Sequence, residues 1–296
     1  MRVSQNTIGS PVILNGFGYW SGQDVRVSLH PASVDTGVVF RRIDRPDSEP
    51  IPGSIRYRGE SSHRTTLVAS NDSIATVGMV EHFMAAMAGL GIDNVEIHCD
   101  AAELPGLDGS SLPIVKALRQ AGIVAQSSPV RRRWLRTPIR ISDGNAWIEG
   151  TPVPPGAWTR YRYELDYGAD SPIGSDVFEF VSDRDDFETQ LAPARTFILL
   201  REAQWLQDHG FGLRVQPADV LIFDENGPIG GNALRFPDEC ARHKLLDLVG
   251  DLSLFGTEII GAFRAHRSGH QLNAKFVEEI LSRESEILSD RSGEEL

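Results

Sequence analysis

The stretch TVGMVEHFMAAMAGLGIDNVEIHCD, Thr76 to Asp100, sets a helical pattern directly against a strand. Val80, Phe83, Met84, Met87 and Leu90 recur at helical spacing and predict a helix with a buried stripe, with Gly91 supplying a left-handed stop. NVEIHCD follows as a strand. A helix that passes through a short turn into a strand points to mixed α and β architecture. Upstream, DVRVSLHP and TGVVFRRID are β-like runs bounded by Gly, Pro, Asp and Ser. Downstream, the turn-rich AAELPGLDGSS leads into LPIVKALRQAG, a helix with Pro near its first turn and Gly122 at its end. Together these segments complete one α/β unit.

The same order of elements repeats further on. AQSSPVRRRW, residues 125–134, combines small polar residues, a proline and three arginines, and reads as a linker. Beyond it come strands in PIRISDGNAWIEG and RYRYELDYG, a helix FILLREAQWLQDHG, strands near DVLIFDENG, and a helix RFPDECARHKLLDLVGDL from Arg235 to Leu252. A strand EIIGAFRAHRSG and a last helix from Leu272 to Leu288 close the chain. The expected fold is α+β: two similar two-layer α/β sandwich domains, residues 1–126 and 127–296, with a ligand in the crevice at their junction.

Composition narrows the function. The 296 residues carry 29 basic and 41 acidic side chains, a formal charge of −12, which repels a phosphate backbone and argues against nucleic acid as a partner. Two cysteines, Cys99 and Cys240, are too few for a disulfide framework, so a reducing compartment fits. No run approaches the roughly 18 apolar residues of a membrane span, and the N-terminus lacks the apolar core of a signal peptide. A cytoplasmic enzyme that acts as a monomer on a small-molecule substrate is the expectation.

The chemistry concentrates in three places. On the Arg235–Leu252 helix, His243 and Asp247 are four residues apart and present an imidazole and a carboxylate to the same point, a two-point metal clamp. Taken alone, His-x-x-x-Asp recurs by chance, with a solvated or core-satisfied role. Glu81-His82 adds weight: adjacent helical residues diverge by about 100°, so His82 is able to ligate while Glu81 reaches a water as a general base. The bland alternative has Glu81 facing solvent. In RSGHQLN, His270 opens the last helix, and Asp251, two turns beyond His243, is its natural partner for fixing the tautomer and raising the pKa. The other histidines stand without carboxylate partners at useful spacing, and most read as structural.

These stretches resemble the UDP-3-O-acyl-N-acetylglucosamine deacetylase family of zinc amidases. The resemblance is carried by VEHFMAAMAGLGIDNVEI, ELPGLDGSSLPIVKAL, ARTF, LRFPDECARHKLLDLVGDL and IIGAFRAHRSGHQLN, in the family's order and over some 200 residues. It implies two similar α+β domains with a metal at their junction. It also implies His82, His243 and Asp247 as ligands of Zn2+, with Fe2+ suited to the same donors. By the same resemblance Glu81 is the base, His270 the general acid oriented by Asp251, and Lys244 and Thr196 lie near the developing oxyanion. Phe197 would line the substrate wall. The implied substrate is an acylated UDP-N-acetylglucosamine of lipid A biosynthesis, and the products are acetate and a free amine.

Three departures concern the substrate. Trp20 in GYWSG replaces a histidine of the family, and DGNA lacks a lysine that follows DGD in the family. LRVQPADVLIF stands where the family has a glycine-rich GGS, adding Arg214 to the substrate-binding region of the acyl passage. These leave open a zinc deacetylase for a different N-acylated sugar or nucleotide sugar, and, from another class, a non-catalytic sugar-nucleotide binding protein.

Overall fold

The computed structural model describes residues 2–61, 63–182 and 185–290. In the first half the elements run β1 (Ser4–Ile8), β2 (Val12–Phe17), β3 (Asp24–Pro31), β4 (Val38–Arg42), β5 (Ile51–Pro52), β6 (Thr66–Val68), β7 (Thr76–Gly78), α1 (Glu81–Leu90), β8 (Val95–Cys99), α2 (Leu112–Ala121) and β9 (Ile123–Pro129). Then follow β10 (Arg132–Leu135), β11 (Ile139–Asp143), β12 (Ala146–Thr151), β13 (Arg160–Asp166), β14 (Ser175–Val181), α3 (Phe187–Gln190), β15 (Phe197–Leu199), α4 (Leu200–Asp208), β16 (Leu221–Asp224) and β17 (Gly227–Pro228). The last are α5 (Glu239–Ser253), β18 (Glu258–Ile260), β19 (Ala262–His266), α6 (His270–Ser282), α7 (Glu284–Ile287) and β20 (Leu288–Ser289).

The expected duplication is written in the sheets. One five-stranded sheet has the order β2-β3-β8-β4-β5 and the other β11-β12-β19-β13-β14. In each, the only parallel pair among these strands joins the third and fourth positions, Val38 opposite Val95 and Arg160 opposite Ala262, and every other pairing is antiparallel. The crossover that makes a parallel pair needs a long connection, and each half supplies it with helices. The fold is therefore α+β with two similar sheet-and-helix halves.

Helix α1 packs along α5, and this pairing organises the interior. Glu81 through Met87 are all buried, so the first two turns of α1 are covered on every side, where the spacing predicted a single stripe. Leu245, Leu246 and Leu248 of α5 have no exposed surface, and each such side chain stabilises the fold by roughly 1.5 to 3 kcal/mol. Gly250 lets the two helices approach: a Cβ there would lie 2.2 Å from the Glu81 carbonyl oxygen and 3.3 Å from the Ala85 nitrogen. Only hydrogen fits in that space.

Several boundaries differ from expectation for local reasons. Thr76–Gly78 is strand β7, paired with β6, and α1 begins only at Glu81 after Met79 turns the chain at φ +61°. AQSSPVRRRW is not an irregular linker: β9 pairs with β1, and β10 pairs with β18 and β20. Phe197–Leu199 is strand β15, parallel to β16, and the helix starts after it. Residues 235–238 precede α5, with Pro237 favouring extended backbone before it. Gly261 divides EIIGAFRAH into two strands of different sheets, and the last helix starts at His270 and breaks at Arg283. Strand β14 was not anticipated. Among the described residues no helix is long and apolar enough to cross a membrane.

Candidate metal and acid–base centre

Residues far apart in sequence meet at the N-terminal end of α1. Helix α1 delivers Glu81 and His82, α5 delivers His243, Asp247 and Asp251, and α6 opens with His270; all six are buried. His82, His243 and Asp247 form the one group among the described residues able to hold a metal ion, with their donor atoms within 4.8 Å of one another. The Asp247 Oδ1 lies 3.4 Å from His243 Nε2 and 3.7 Å from His82 Nε2, and it is buried without a hydrogen-bond partner. An unpaired carboxylate oxygen away from water is costly unless a cation compensates it.

The remaining contacts leave that corner free for ligation. His243 Nδ1 lies 3.1 Å from the Ala194 carbonyl, which can only accept, so Nδ1 carries the proton and Nε2 keeps its lone pair. Burial pushes the His243 pKa down to about 4, so the ring is neutral. Lys244 Nζ donates to Asp247 Oδ2 at 2.7 Å. Burial opposes a charge on Asp247, yet His243 and Lys244 outweigh it and hold the carboxyl well below its usual range. Burial likewise works against the Lys244 charge, and Asp247 reverses it, raising the pKa. Two imidazoles and one carboxylate, with Asp247 Oδ1 otherwise unpaired, fit a tetrahedral zinc or ferrous site that leaves room for substrate.

Around this corner stand the buried Glu81, Asp251 and His270. Burial raises the Glu81 carboxyl above its ordinary pKa, against the opposing pull of His270 and His82. Asp251 Oδ2 lies 2.8 Å from His270 Nδ1, so that nitrogen donates and Nε2 points toward Glu81 Oε1 at 3.7 Å. Burial alone would lower the His270 pKa; Asp251 and Glu81 overcome it and lift it to about 9.

Sequence reasoning missed three participants. Thr65, buried in the loop before β6, donates its hydroxyl to Asp251 Oδ1 at 2.6 Å and its backbone N–H to Glu81 Oε2 at 3.0 Å. It joins the two carboxylates, and no periodicity marks a single loop threonine. Asn273 Nδ2 donates to Asp251 Oδ2 at 2.9 Å; its spacing from His270, one turn along α6, was the available clue. Tyr163 donates its hydroxyl to the Ser268 carbonyl, anchoring the bend before His270.

The other anticipated residues are distributed as follows. Phe197 sets its ring edge-on to His243, with centroids 6.1 Å apart. Thr196 is half-buried, its backbone N–H donating to Gly109 O at 2.7 Å, and its hydroxyl makes no hydrogen bond among the described residues. The Arg214 guanidinium donates to the Gly22 carbonyl at 2.7 Å and to Asp24 at 2.8 Å, and covers the Phe17 ring. Asp24 is 86% exposed, so this ion pair is worth at most about 1 kcal/mol. Trp20 stacks on His63 and meets the edge of Phe211. Two histidines expected to lack carboxylate partners have them across or along strands, His98 with Glu96 at 3.1 Å and His266 with Glu164 at 3.9 Å.

Paired sheet-and-helix halves with a buried histidine–carboxylate centre define the class, an α+β enzyme whose clustered histidines and carboxylates are drawn from both halves of the chain. The chain belongs to the UDP-3-O-acyl N-acetylglycosamine deacetylase family, whose model matches residues 5–282. It is 37% identical over 288 residues to the UDP-3-O-acyl-N-acetylglucosamine deacetylases of Brucella ovis, Brucella canis and Brucella melitensis, spanning 96% of this chain and 98% of each relative.

Proposed function

We propose that this protein is a zinc-dependent deacetylase that removes the N-acetyl group from a 3-O-acylated UDP-N-acetylglucosamine in lipid A biosynthesis, acting as a cytoplasmic monomer of two domains, residues 1–126 and 127–296. The observation that carries the reading is the buried, unpartnered Asp247 Oδ1 facing His82 and His243, with Glu81 and His270 opposed beside it. Family membership along nearly the whole chain supports the substrate.

Bound by His82, His243 and Asp247, zinc would polarise the amide carbonyl and make water acidic enough to ionise near neutrality. Glu81 takes a proton from the attacking water; its burial brings its pKa toward the working pH, which suits a general base. As the water oxygen bonds to the carbonyl carbon, the Thr196 hydroxyl is available to donate to the oxygen that gains charge. The ammonium of Lys244, fixed on Asp247, adds positive potential beside it. When the C–N bond breaks, the electron pair goes to nitrogen, and His270 supplies a proton from Nε2. Asp251 holds Nδ1 throughout, so the orientation of that ring does not change. Thr65 keeps Glu81 and Asp251 at a fixed separation.

Incubation of zinc-loaded protein with the acylated and the unacylated nucleotide sugar, followed by mass spectrometry, tests the substrate. Loss of acetyl from the acylated sugar is expected. Loss from the unacylated sugar alone, or from neither, would overturn the reading.

A further inference from the structure

Glu239 lies one helical turn before His243 on α5 and has no exposed surface. Its Oε1 accepts from the Arg195 backbone N–H at 3.1 Å and from Arg195 Nε at 2.8 Å. Its Oε2 accepts from Arg195 Nη2 at 3.1 Å and from the Arg235 backbone N–H at 2.6 Å. The Arg195 N–H and the Ala194 carbonyl belong to one peptide group, and that carbonyl accepts from His243 Nδ1. Two side chains a turn apart on one helix therefore hold the two ends of a single peptide plane.

We propose that Glu239 is a positioning residue for His243, acting through the Ala194–Arg195 peptide group as a carboxylate–peptide–imidazole chain. A carboxylate on the N–H polarises the peptide and makes its carbonyl the stronger acceptor, because hydrogen bonds in series reinforce one another. The stronger carbonyl draws on the His243 Nδ1–H, fixes the ring's rotation and tautomer, and makes Nε2 a better donor to a metal. Metal-bound imidazoles commonly lean on a carboxylate or a carbonyl; here the two act in sequence. Arg195 neutralises Glu239 and ties the same segment to the Ala233 carbonyl at 2.8 Å, so the peptide plane is held from outside as well. The next residue is Thr196, and the clamp fixes its backbone too. The inference rests on His243 being a metal ligand.

The test is the zinc dissociation constant of the full chain, measured by competition with a chelator, and the visible spectrum of the cobalt-substituted protein. Glu239→Gln keeps the volume and removes the charge. Arg195→Gln combined with Glu239→Gln removes both buried charges, so no ion is left uncompensated. We expect affinity roughly 10- to 100-fold weaker in both variants, with a shifted cobalt spectrum, even where the double variant recovers the melting temperature of the metal-free protein. A merely structural role predicts that affinity recovers with stability in the double variant, and that result overturns the proposal. Equal affinity in all three proteins overturns it as well. Failure of the unaltered protein to bind zinc is a different outcome: it removes the metal reading itself and this inference with it.

Discussion

Replacing Gly250 with alanine perturbs the approach of α1 to α5 by one methyl group. The added Cβ would sit 2.2 Å from the Glu81 carbonyl oxygen and 3.0 Å from its carbonyl carbon, against ordinary contact at 3.4 Å and beyond. The obstacle is backbone at both ends, in the buried first two turns of α1, so no side chain can swing away. Helix α1 must retreat by about 1 Å, since interiors packed this densely have no slack to share the displacement. Overpacking of this kind costs about 1–3 kcal/mol of stability. The functional cost is larger in proportion, because the moving helix carries Glu81 and His82 while α5 carries His243 and Asp247. Metal–ligand distances tolerate only about 0.2 Å, and a misplacement of about 1 Å at a reacting centre costs on the order of 100-fold in rate. Gly250→Ala should therefore melt a few degrees below the unaltered protein and lose about two orders of magnitude in zinc affinity and turnover. Thermal melts, chelator competition and acetate release measure these three effects. A variant that folds, binds zinc and turns over within threefold of the unaltered protein would refute the argument that α1–α5 contact sets the site.

Other perturbations separate the remaining roles. In the proposed mechanism His270 acts in its protonated form, so activity should fall as pH rises through its pKa; Asp251→Asn removes the anion that raises that pKa, and the alkaline limb of the rate profile should move to lower pH. An unmoved limb would remove Asp251 from that role. Thr65→Val leaves Asp251 Oδ1 without its donor and should reduce turnover about tenfold or more, at roughly 1–3 kcal/mol, without changing zinc content. Removing the metal with a chelator should lower the melting temperature by at least about 5 °C, since an ion present at 100 times its dissociation constant contributes about 2.7 kcal/mol. No change on chelation would contradict a built ion site.

Much of this was legible in the sequence because helical spacing is a geometric statement. His243 and Asp247 at i and i+4 had to share a face, and Asp251 a further turn along continues it toward His270. The strands β3 and β8 and the helix α2 follow from alternation, turn residues and caps. What escaped was set by contacts between distant segments. Thr65 reaches Asp251 across 186 residues, and Glu239 reaches Arg195 across 44. Gly250 reads as a weak point in a helix until the Glu81 backbone is seen against it. The arginine-rich segment from 125 to 134 forms strands because β1, β18 and β20 supply partners, which no local pattern announces. Arg214, read as bulk added to a substrate passage, has its guanidinium held by the Gly22 carbonyl and Asp24, contacts that no local pattern announces.

The most direct test of the account compares the unaltered protein with Glu81→Gln, both loaded with zinc, on the 3-O-acylated UDP-N-acetylglucosamine, counting acetate and free amine by nuclear magnetic resonance. One acetate per amine from the unaltered protein, and none above background from Glu81→Gln at equal zinc content, is the predicted result. Undiminished acetate release by Glu81→Gln, or none from the zinc-loaded unaltered protein, would contradict it.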